Sequence, residues 1–316
     1  MQLNISRYRN VEEVKYECEV VTPMFVAGAD QNKAVLRAPT VKGLLRYWWR
    51  ATNEFDSLRD LKKREGEIFG TTESKSKVSL HIDMDTVKNG HSLPRGSFSR
   101  KPDKFQGDIL KYLAYGTSQR EYISPENLFR ITIRFPKEYK QDIQSAMYGL
   151  SVFGGIGAKS RNGFGSFRLV NTRIDQPEVV RTKMLSVAEY TKVNKGRRLF
   201  KTRDVFDGWE EALSCIGYVY WQARMAVDDR HEFDGRAQIA LPITARNEPI
   251  PDKYKKQRQA KPFFLHVSRM KSGEHKDKYR GMISFFPLTY MLKNDGTYNK
   301  VFEKAIKAIE RTGEMK

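Results

Sequence analysis

The chain has 316 residues, and its 57 lysines and arginines outnumber its 38 aspartates and glutamates to give a net charge of +19. Hydrophobic residues make up 39% of the chain, which is enough to bury a core and excludes a wholly disordered protein. The only cysteines, Cys18 and Cys215, lie far apart, which excludes a disulfide framework and a cysteine-rich zinc site.

Alternating apolar residues in the first half predict strands at 14–20, 78–84, 129–135 and 164–174. Helical spacing predicts a helix over 41–52, capped by Thr40, and further helices over 58–69 and 139–150. This order, β-α-β-β-α-β, is typical of the ferredoxin-like fold that RNA-binding RRM domains share. An architecture shared by many proteins does not by itself assign a function.

The segment 85–125 separates the second and third strands by about forty residues, whereas a hairpin loop needs only about two to five. It is therefore an insertion, rich in glycine, proline and basic residues, and we expect it to be mobile and functional.

The second half predicts a helix over 209–220, strands over 263–270 and 281–287, and a helix over 301–311. These elements form the middle of a second ferredoxin-like unit, and Pro177 indicates a boundary near 175–178. The expected fold class is therefore α+β. A ferredoxin-like domain over 1–175 carries the insertion 85–125 as a loop or thumb, and a second such domain spans 176–316.

The charge excess predicts a polyanionic partner, either a nucleic acid or an anionic membrane surface. Two basic stretches, 192–203 and 252–261, lack the wide apolar face of a membrane-binding helix, so nucleic acid is favoured. Each stretch taken alone is equally compatible with a solvated loop. No apolar run is long enough to span a bilayer and the N-terminus lacks the apolar segment of a signal peptide, so we expect a cytoplasmic protein with no membrane partner.

The first candidate site lies on the helix predicted over 41–52. Lys42, Arg46 and Arg50 fall on one face and repel one another unless an anion, such as an RNA phosphate, lies there. The alternative is that they pair with acidic residues elsewhere. Arg37, just before the helix, joins these candidate RNA contacts. Trp48 is favoured as a core residue over a base-stacking platform, while the role of Trp49 stays open.

The second candidate site is the glycine loop, which we define as residues 154–165 and which contains five glycines. Such a loop lets a ligand approach the backbone, and its cations would favour an RNA backbone over the alternative, a tight helix-to-strand connection. Walker A and Rossmann motifs both fail, because Ala158 and Ser160 stand where glycines are needed, so we expect no nucleotide cofactor. The candidate RNA contacts of this loop are Gly154, Gly155, Gly157, Lys159, Arg161, Asn162 and Gly163.

Four segments in this order, 22–25, 42–51, 68–70 and the glycine loop, resemble the RAMP proteins of type III CRISPR effectors. Within that superfamily they are most similar to the first, Cas7-like RAMP subunit of the type III-B Cmr complex. The resemblance covers residues 14–170, and beyond them 230–243 and 262–270. It implies an RNA-binding subunit that binds crRNA near its 3′ end, helps to engage target RNA in antiviral defence and assembles with other RAMP subunits. The insertion lies where related subunits carry a thumb.

Catalysis is not expected from the sequence, and we assign no catalytic or metal-binding residue. The resemblance suggests one alternative, a metal-dependent endoribonuclease cutting target RNA through Asp30, which lies in a loop at 28–31. A lone aspartate in such a loop is usually a turn residue. His81, Asp83 and Asp85 share one strand face, but solvent is the favoured environment there. A crRNA-processing enzyme would need a general base, and no histidine lies in either candidate site.

Overall fold

The structure is a computed structural model, and it describes residues 10–84, 87–172, 174, 193, 198–229, 232–241, 243, 249–286 and 297–316. It has a mixed α/β architecture in which the main sheets are antiparallel. No helix in these described ranges is both long enough and apolar enough to cross a membrane.

The first half forms a four-stranded sheet that carries its helices on one face. Its strands are β1 (Val11–Val20), β2 (Ser79–Asp83), β5 (Leu128–Pro136) and β6 (Phe167–Leu169), in the order β2-β5-β1-β6. The helices are α1 (Ala38–Thr52), α2 (Leu58–Phe69) and α4 (Lys140–Val152). Apolar residues of α1 and α4 pack with the inner face of the sheet into one core, so the order β-α-β-β-α-β predicted for this half is observed.

Two predicted boundaries in this half are wrong. Helix α1 begins at Ala38 and includes Thr40, with Arg37 at the N-cap position, because Pro39 is suited to a first turn, where its missing N–H is not needed. Strand β6 is limited to Phe167–Leu169, because the preceding residues turn back into the glycine loop, where the N–H of Gly165 donates to the carbonyl of Pro23.

The second half contains a three-stranded sheet of β7 (Arg198–Lys201), β8 (Phe263–Arg269) and β9 (Tyr279–Phe285), in the order β7-β9-β8. Its long helices are α5 (Trp209–Met225) and α8 (Thr297–Arg311), and its short ones are α6 (Asp234–Ile239) and α7 (Asp252–Lys255). Residues 314–316 run antiparallel beside β7, with Met315 opposite Thr202. The predicted boundary at 175–178 lies outside the described residues.

The insertion packs against the second half, so the expectation that it is mobile is wrong for its described part. It contains the short strands β3 (Asn89–Gly90) and β4 (Tyr122–Ile123) and the helix α3 (Ile109–Leu113). Helix α3 is buried against α5, and Phe105 packs edge-on against Tyr218 of that helix at 5.2 Å between ring centres. An apolar core of this kind orders the segment, because loosening it would expose the aromatic side chains.

Candidate nucleic-acid interface

The three basic residues on α1 differ in whether they pair with an acidic side chain. The Arg46 Nε and the Arg50 Nη1 both bind Oε1 of Glu65 in α2, at 2.8 and 2.9 Å, and the Glu65 side chain is only 8% exposed. The alternative of pairing with an acid therefore holds for both arginines. Lys42 has no acidic partner among the described residues, and burial together with the nearby Arg46 charge lowers its pKa.

Lys42 lines a groove of about 730 Å³ between α1, α2 and the turn that follows α2. Two further lysines that the sequence analysis missed, Lys62 and Lys75, line it too, and Glu65 is its one acidic lining residue. The turn contributes the hydroxyl of Thr72, whereas the hydroxyls of Thr71 and Ser74 bond each other and that of Ser76 donates to the Val78 carbonyl at 2.7 Å. Ammonium and hydroxyl donors around an open groove are the groups that hold phosphate oxygens.

The two tryptophans of α1 are core residues. Trp48 is 1% exposed and Trp49 is fully buried, which confirms the core interpretation of Trp48 and settles the open role of Trp49. The indole N–H of Trp49 donates to Oδ1 of Asp142 at 2.6 Å, tying α1 to α4. Neither ring is available for stacking on a base. Arg37 is exposed at the start of α1.

The glycine loop is a compact connection from α4 to β6. Gly157 and Gly165 adopt φ values of +100° and +66°, and a methyl group at either position would overlap a backbone oxygen, that of Phe25 or that of Ile156. These glycines are therefore needed for contacts within the protein, so the tight-connection alternative explains them. The candidate contacts Gly154, Gly155 and Gly163 are buried, while Gly157 is half-buried.

Arg161 and Asn162 join the glycine loop to other parts of the chain. The Arg161 guanidinium donates to the Lys261 carbonyl at 2.7 Å and to the Tyr47 hydroxyl at 2.9 Å. The side-chain amide of Asn162 donates to the carbonyl of Leu113 in the insertion at 2.6 Å. Both side chains therefore form hydrogen bonds within the protein. The sequence predicted them as RNA contacts and did not indicate this structural role.

Lys159 differs from these neighbours. Its φ of +59° lies in the left-handed region, which is unusual for a residue other than glycine. Its side chain is half-buried and has no acidic partner among the residues the structure describes, and burial with the nearby Arg120 charge lowers its pKa. Lys159 is therefore the cation of the glycine loop that remains available to an anion.

Helix α1 brings the two candidate sites together. Tyr47, which binds Arg161, follows Arg46 in the sequence, and consecutive helical residues point about 100° apart. The groove, which Arg46 also lines, and the Tyr47 contact of the glycine loop therefore lie on neighbouring flanks of the same helix.

Residues 17–168 match the model of the RAMP superfamily. The match covers 152 of the 316 residues, just under half of the chain. Two proteins from Pyrococcus furiosus are similar to it in sequence. CRISPR system Cmr subunit Cmr1-2 is 27% identical over 177 residues, which cover 50% of this chain and 95% of that subunit. Subunit Cmr1-1 is 27% identical over 139 residues, covering 43% of this chain and 40% of that subunit.

Solved structures extend the likeness to nearly the whole length of the chain. The crystal structure of Cmr1 from Pyrococcus furiosus in its apo form matches with a TM-score of 0.55 and 19% identity, over 94% of this chain and 96% of that one. A chain of the type III-B Cmr-beta complex, determined by cryo-EM bound to cognate target RNA, matches with a TM-score of 0.53 and 12% identity, over 95% and 100%. At these identities the likeness shows a shared fold.

The residues considered for catalysis have ordinary local roles. Oδ1 of the exposed Asp30 accepts the N–H of Asn32 at 2.9 Å, which is the contact of an Asx turn. His81 and Asp83 bind each other at 2.8 Å on the outer face of the sheet, and Asp85 lies outside the described residues. Within the described ranges, no group of three or more histidine, cysteine, aspartate or glutamate side chains is placed to hold a metal ion.

The two basic stretches are only partly described. Of 192–203, the structure describes Val193 and residues from Arg198 onward, which include β7. The stretch 252–261 contains α7 and ends at Lys261, whose side chain is buried, so it is not a uniform solvated loop.

Proposed function

We propose that this chain is an RNA-binding, non-catalytic RAMP subunit of a type III-B Cmr effector complex, which binds crRNA near its 3′ end and helps to engage target RNA. The observation that carries the proposal is the pair Lys42 and Lys159. Both are partly buried cations without an acidic partner among the described residues, one in the groove beside α1 and the other in the glycine loop, in a chain of net charge +19. Cations kept in this state favour a phosphate backbone as their ligand.

The likeness to Cmr subunits supports this assignment. One structural neighbour is a chain of a Cmr complex bound to cognate target RNA, and it shares the fold over nearly the whole length of this chain. We infer that crRNA, target RNA and other RAMP subunits are the partners here too, as expected for an antiviral effector in the cytoplasm.

We also propose that the chain has two ferredoxin-like domains, over 1–175 and 176–316. When residues 314–316 are counted as a fourth strand beside β7, the strands of the second sheet lie in the order 314–316, β7, β9, β8. Numbered by their place in the chain, they lie in the order fourth, first, third, second. The first sheet, read from β6 to β2, has the same order. The insertion belongs to the first domain in sequence but contributes to the core of the second.

An endoribonuclease centred on Asp30 is the alternative. Asp30 is exposed and its carboxylate accepts a backbone N–H within its own turn, whereas metal-dependent cleavage usually needs several oxygen ligands. We expect Asp30→Ala to leave target cleavage by the complex unchanged. Mg²⁺-dependent cleavage by the purified chain that disappears in Asp30→Ala would establish the alternative instead.

The proposal is tested by reconstituting the complex on crRNA with and without this subunit, with assembly and target cleavage as readouts. For the chain alone, we expect Lys42→Ala or Lys159→Ala to weaken single-stranded RNA binding by about 1–3 kcal/mol, the range for a lost charge-assisted hydrogen bond. The exposed Lys276, changed to alanine, is the matched control for the loss of one charge. Affinity should also fall with salt, at about −0.7 in log–log slope per phosphate neutralised. A slope near zero contradicts binding through phosphate contacts.

A further inference from the structure

Four cations gather where the glycine loop meets the second half of the chain. We call Lys159, Arg161, Arg224 and Lys261 the junction cluster. Lys261 lies just before β8 and is 7% exposed, and the charges of the other three all act to lower its pKa. None of the four has a carboxylate partner among the described residues. Asp228, an acid whose charge acts on Arg224, is paired with Arg236 at 3.0 Å.

Two donors of this cluster are enclosed without a hydrogen-bond acceptor. The Lys261 Nζ has no partner and lies 4.0 Å from the centre of the Tyr220 ring. The Nε of Arg224 is also unpartnered, although its Nη1 donates to the Tyr112 hydroxyl at 2.7 Å. An isolated buried charge and an unmade buried hydrogen bond both cost stability, and an apolar residue of the same volume would avoid both costs.

Among the described residues, the groups that contact the Lys261 amine or act on its charge are neutral or positive. Burial raises the pKa of Tyr220, so that hydroxyl stays neutral. Burial also lowers the pKa of Lys261 well below its usual value, and the neighbouring cations act in the same direction. The titratable and charged groups around the cluster are Lys159 and Arg161 of the glycine loop, Tyr47 of α1, Tyr220 and Arg224 of α5, Asp228 just after that helix, and Tyr112 and Arg120 of the insertion.

The described residues bring no negatively charged group into contact with the junction cluster. A lysine that is neutral among cations becomes charged once a negative group enters, because the anion offsets the repulsion and accepts the new hydrogen bond. Lysine suits this role, because its flexible stem lets the amine leave the Tyr220 ring and because its pKa responds strongly to burial. Half of the cluster, Lys159 and Arg161, belongs to the loop that borders α1.

We propose that the junction cluster holds one phosphate group of bound RNA, and that the enclosed, unpartnered amine of Lys261 takes up a proton when that phosphate binds. The proton comes from solvent, and no covalent bond to the phosphate forms or breaks. This inference rests on the proposed RNA binding. It adds that one proton is coupled to the binding of one phosphate, at a residue outside both sites predicted from the sequence.

The test is isothermal titration calorimetry of the full chain with a single-stranded RNA oligonucleotide, in two buffers of different ionisation enthalpy, between pH 7 and 9. The wild-type protein should take up protons on binding, approaching one per RNA at the pH where free Lys261 is neutral. This measurement needs no variant. RNA binding without proton uptake anywhere in this range overturns the inference and leaves the proposed function standing, whereas no RNA binding at all contradicts the proposed function.

Lys261→Met assigns the proton. This variant should lose the proton uptake and bind RNA about tenfold more weakly, which is the effect of one charge-assisted contact. Its midpoint of thermal unfolding should not fall, because methionine fills the space of an unpartnered amine. Lys276→Met, which removes an exposed charge, should retain the uptake. An unchanged proton count in Lys261→Met overturns the assignment.

The same measurement distinguishes a phosphate at the 3′ end of the RNA from a phosphodiester within the chain. An oligonucleotide with a 3′-terminal phosphate is compared with one that ends in a 3′-hydroxyl, and inorganic phosphate serves as a competitor. Equal affinity and equal proton uptake for both ends assign the site to an internal phosphodiester. Tighter binding and greater uptake with the 3′-phosphate assign it to the terminus. Inorganic phosphate should reduce the proton uptake that depends on Lys261 in both cases. If it does not, the junction cluster is not a phosphate site.

Discussion

The basic face of α1 and the junction cluster differ in how their charges are balanced. On α1, one buried carboxylate from α2, Glu65, binds both Arg46 and Arg50. In the junction cluster four cations meet, and the described part of the chain brings no carboxylate to them. A group of neighbouring cations therefore has two outcomes. A counter-charge from a neighbouring element makes a basic face structural, and its absence leaves the face available to an anionic ligand.

The glycines of the two regions differ in a corresponding way. Gly43 lies on the exposed side of α1, and a methyl group added there would meet nothing within 4 Å. Gly165 in the glycine loop has no such space and adopts a positive φ. The loop is thus a tight connection, and under the proposed function its cations rather than its backbone contact RNA.

The largest effect is expected from Gly165→Ala. We expect it to lower the free energy of unfolding by about 4 kcal/mol or to prevent folding, because backbone strain and overlap with the Ile156 carbonyl act together. Gly43→Ala is the matched control and should stabilise the protein by about 1 kcal/mol through helix propensity. Urea denaturation measures both. A Gly165→Ala protein as stable as wild type would mean that the loop is not a tight connection.

The second-largest effect is expected on the pH dependence of stability, at a histidine that hydrogen-bonds to the glycine loop rather than to α1. His266 of β8 is buried, its Nδ1–H donates to the Gly154 carbonyl at 2.8 Å, and burial lowers its pKa from 6.5 to about 4. The unfolded chain therefore binds a proton before the folded one does. The stability that depends on neutral His266 is complete above pH 6.5 and should be lost as the pH falls to 4, by about 3 kcal/mol in total.

The measurement is the free energy of unfolding between pH 4 and 7.5. In His266→Gln the slope on the acid side should be smaller by about one proton. An equal slope in His266→Gln and wild type would contradict a neutral buried imidazole at this position.

Much of the fold could be predicted because its core elements have strong apolar periodicity. The alternation in β1 and β5 and the helical stripe of α4 each report burial on one face, which is a local property of the sequence. Strand β7 and the strand-like residues 314–316 were missed because both are short, lie toward the edge of the sheet and carry many charges. The packing of α3 on α5 depends on contacts between distant segments, which no local pattern records.

The candidate site was predictable to a smaller extent. Lys42 and Lys159 have the free side chains that a ligand-binding role needs, but Arg46, Arg50 and Arg161 have partners within the protein. The carbonyl that Arg161 contacts lies 100 positions away in the chain, so its structural role has no sequence signature. Lys261 was included in a basic stretch, and nothing in that stretch indicates that its amine is enclosed against an aromatic ring.

The smallest effect, and the one that tests the comparison most directly, is expected from Glu65→Gln. This change keeps the size of the side chain but removes the carboxylate charge that two arginines share. Their side chains are 40% and 35% exposed, so solvent moderates the loss, and we expect stability to fall by only about 1–2 kcal/mol. The exposed Glu67, changed to glutamine, is the matched control and should alter stability by less than about 0.5 kcal/mol.

RNA affinity should change in the opposite direction to stability. Without Glu65 the face of α1 becomes like the junction cluster, with cations that lack a counter-charge, so RNA should bind about threefold more tightly to Glu65→Gln than to Glu67→Gln. Fluorescence anisotropy at one fixed salt concentration measures this difference. Weaker binding by a folded Glu65→Gln protein would show that Glu65 positions the arginines for RNA. The two regions would then both be binding surfaces, one with its cations oriented by a carboxylate and the other with its cations oriented by packing alone.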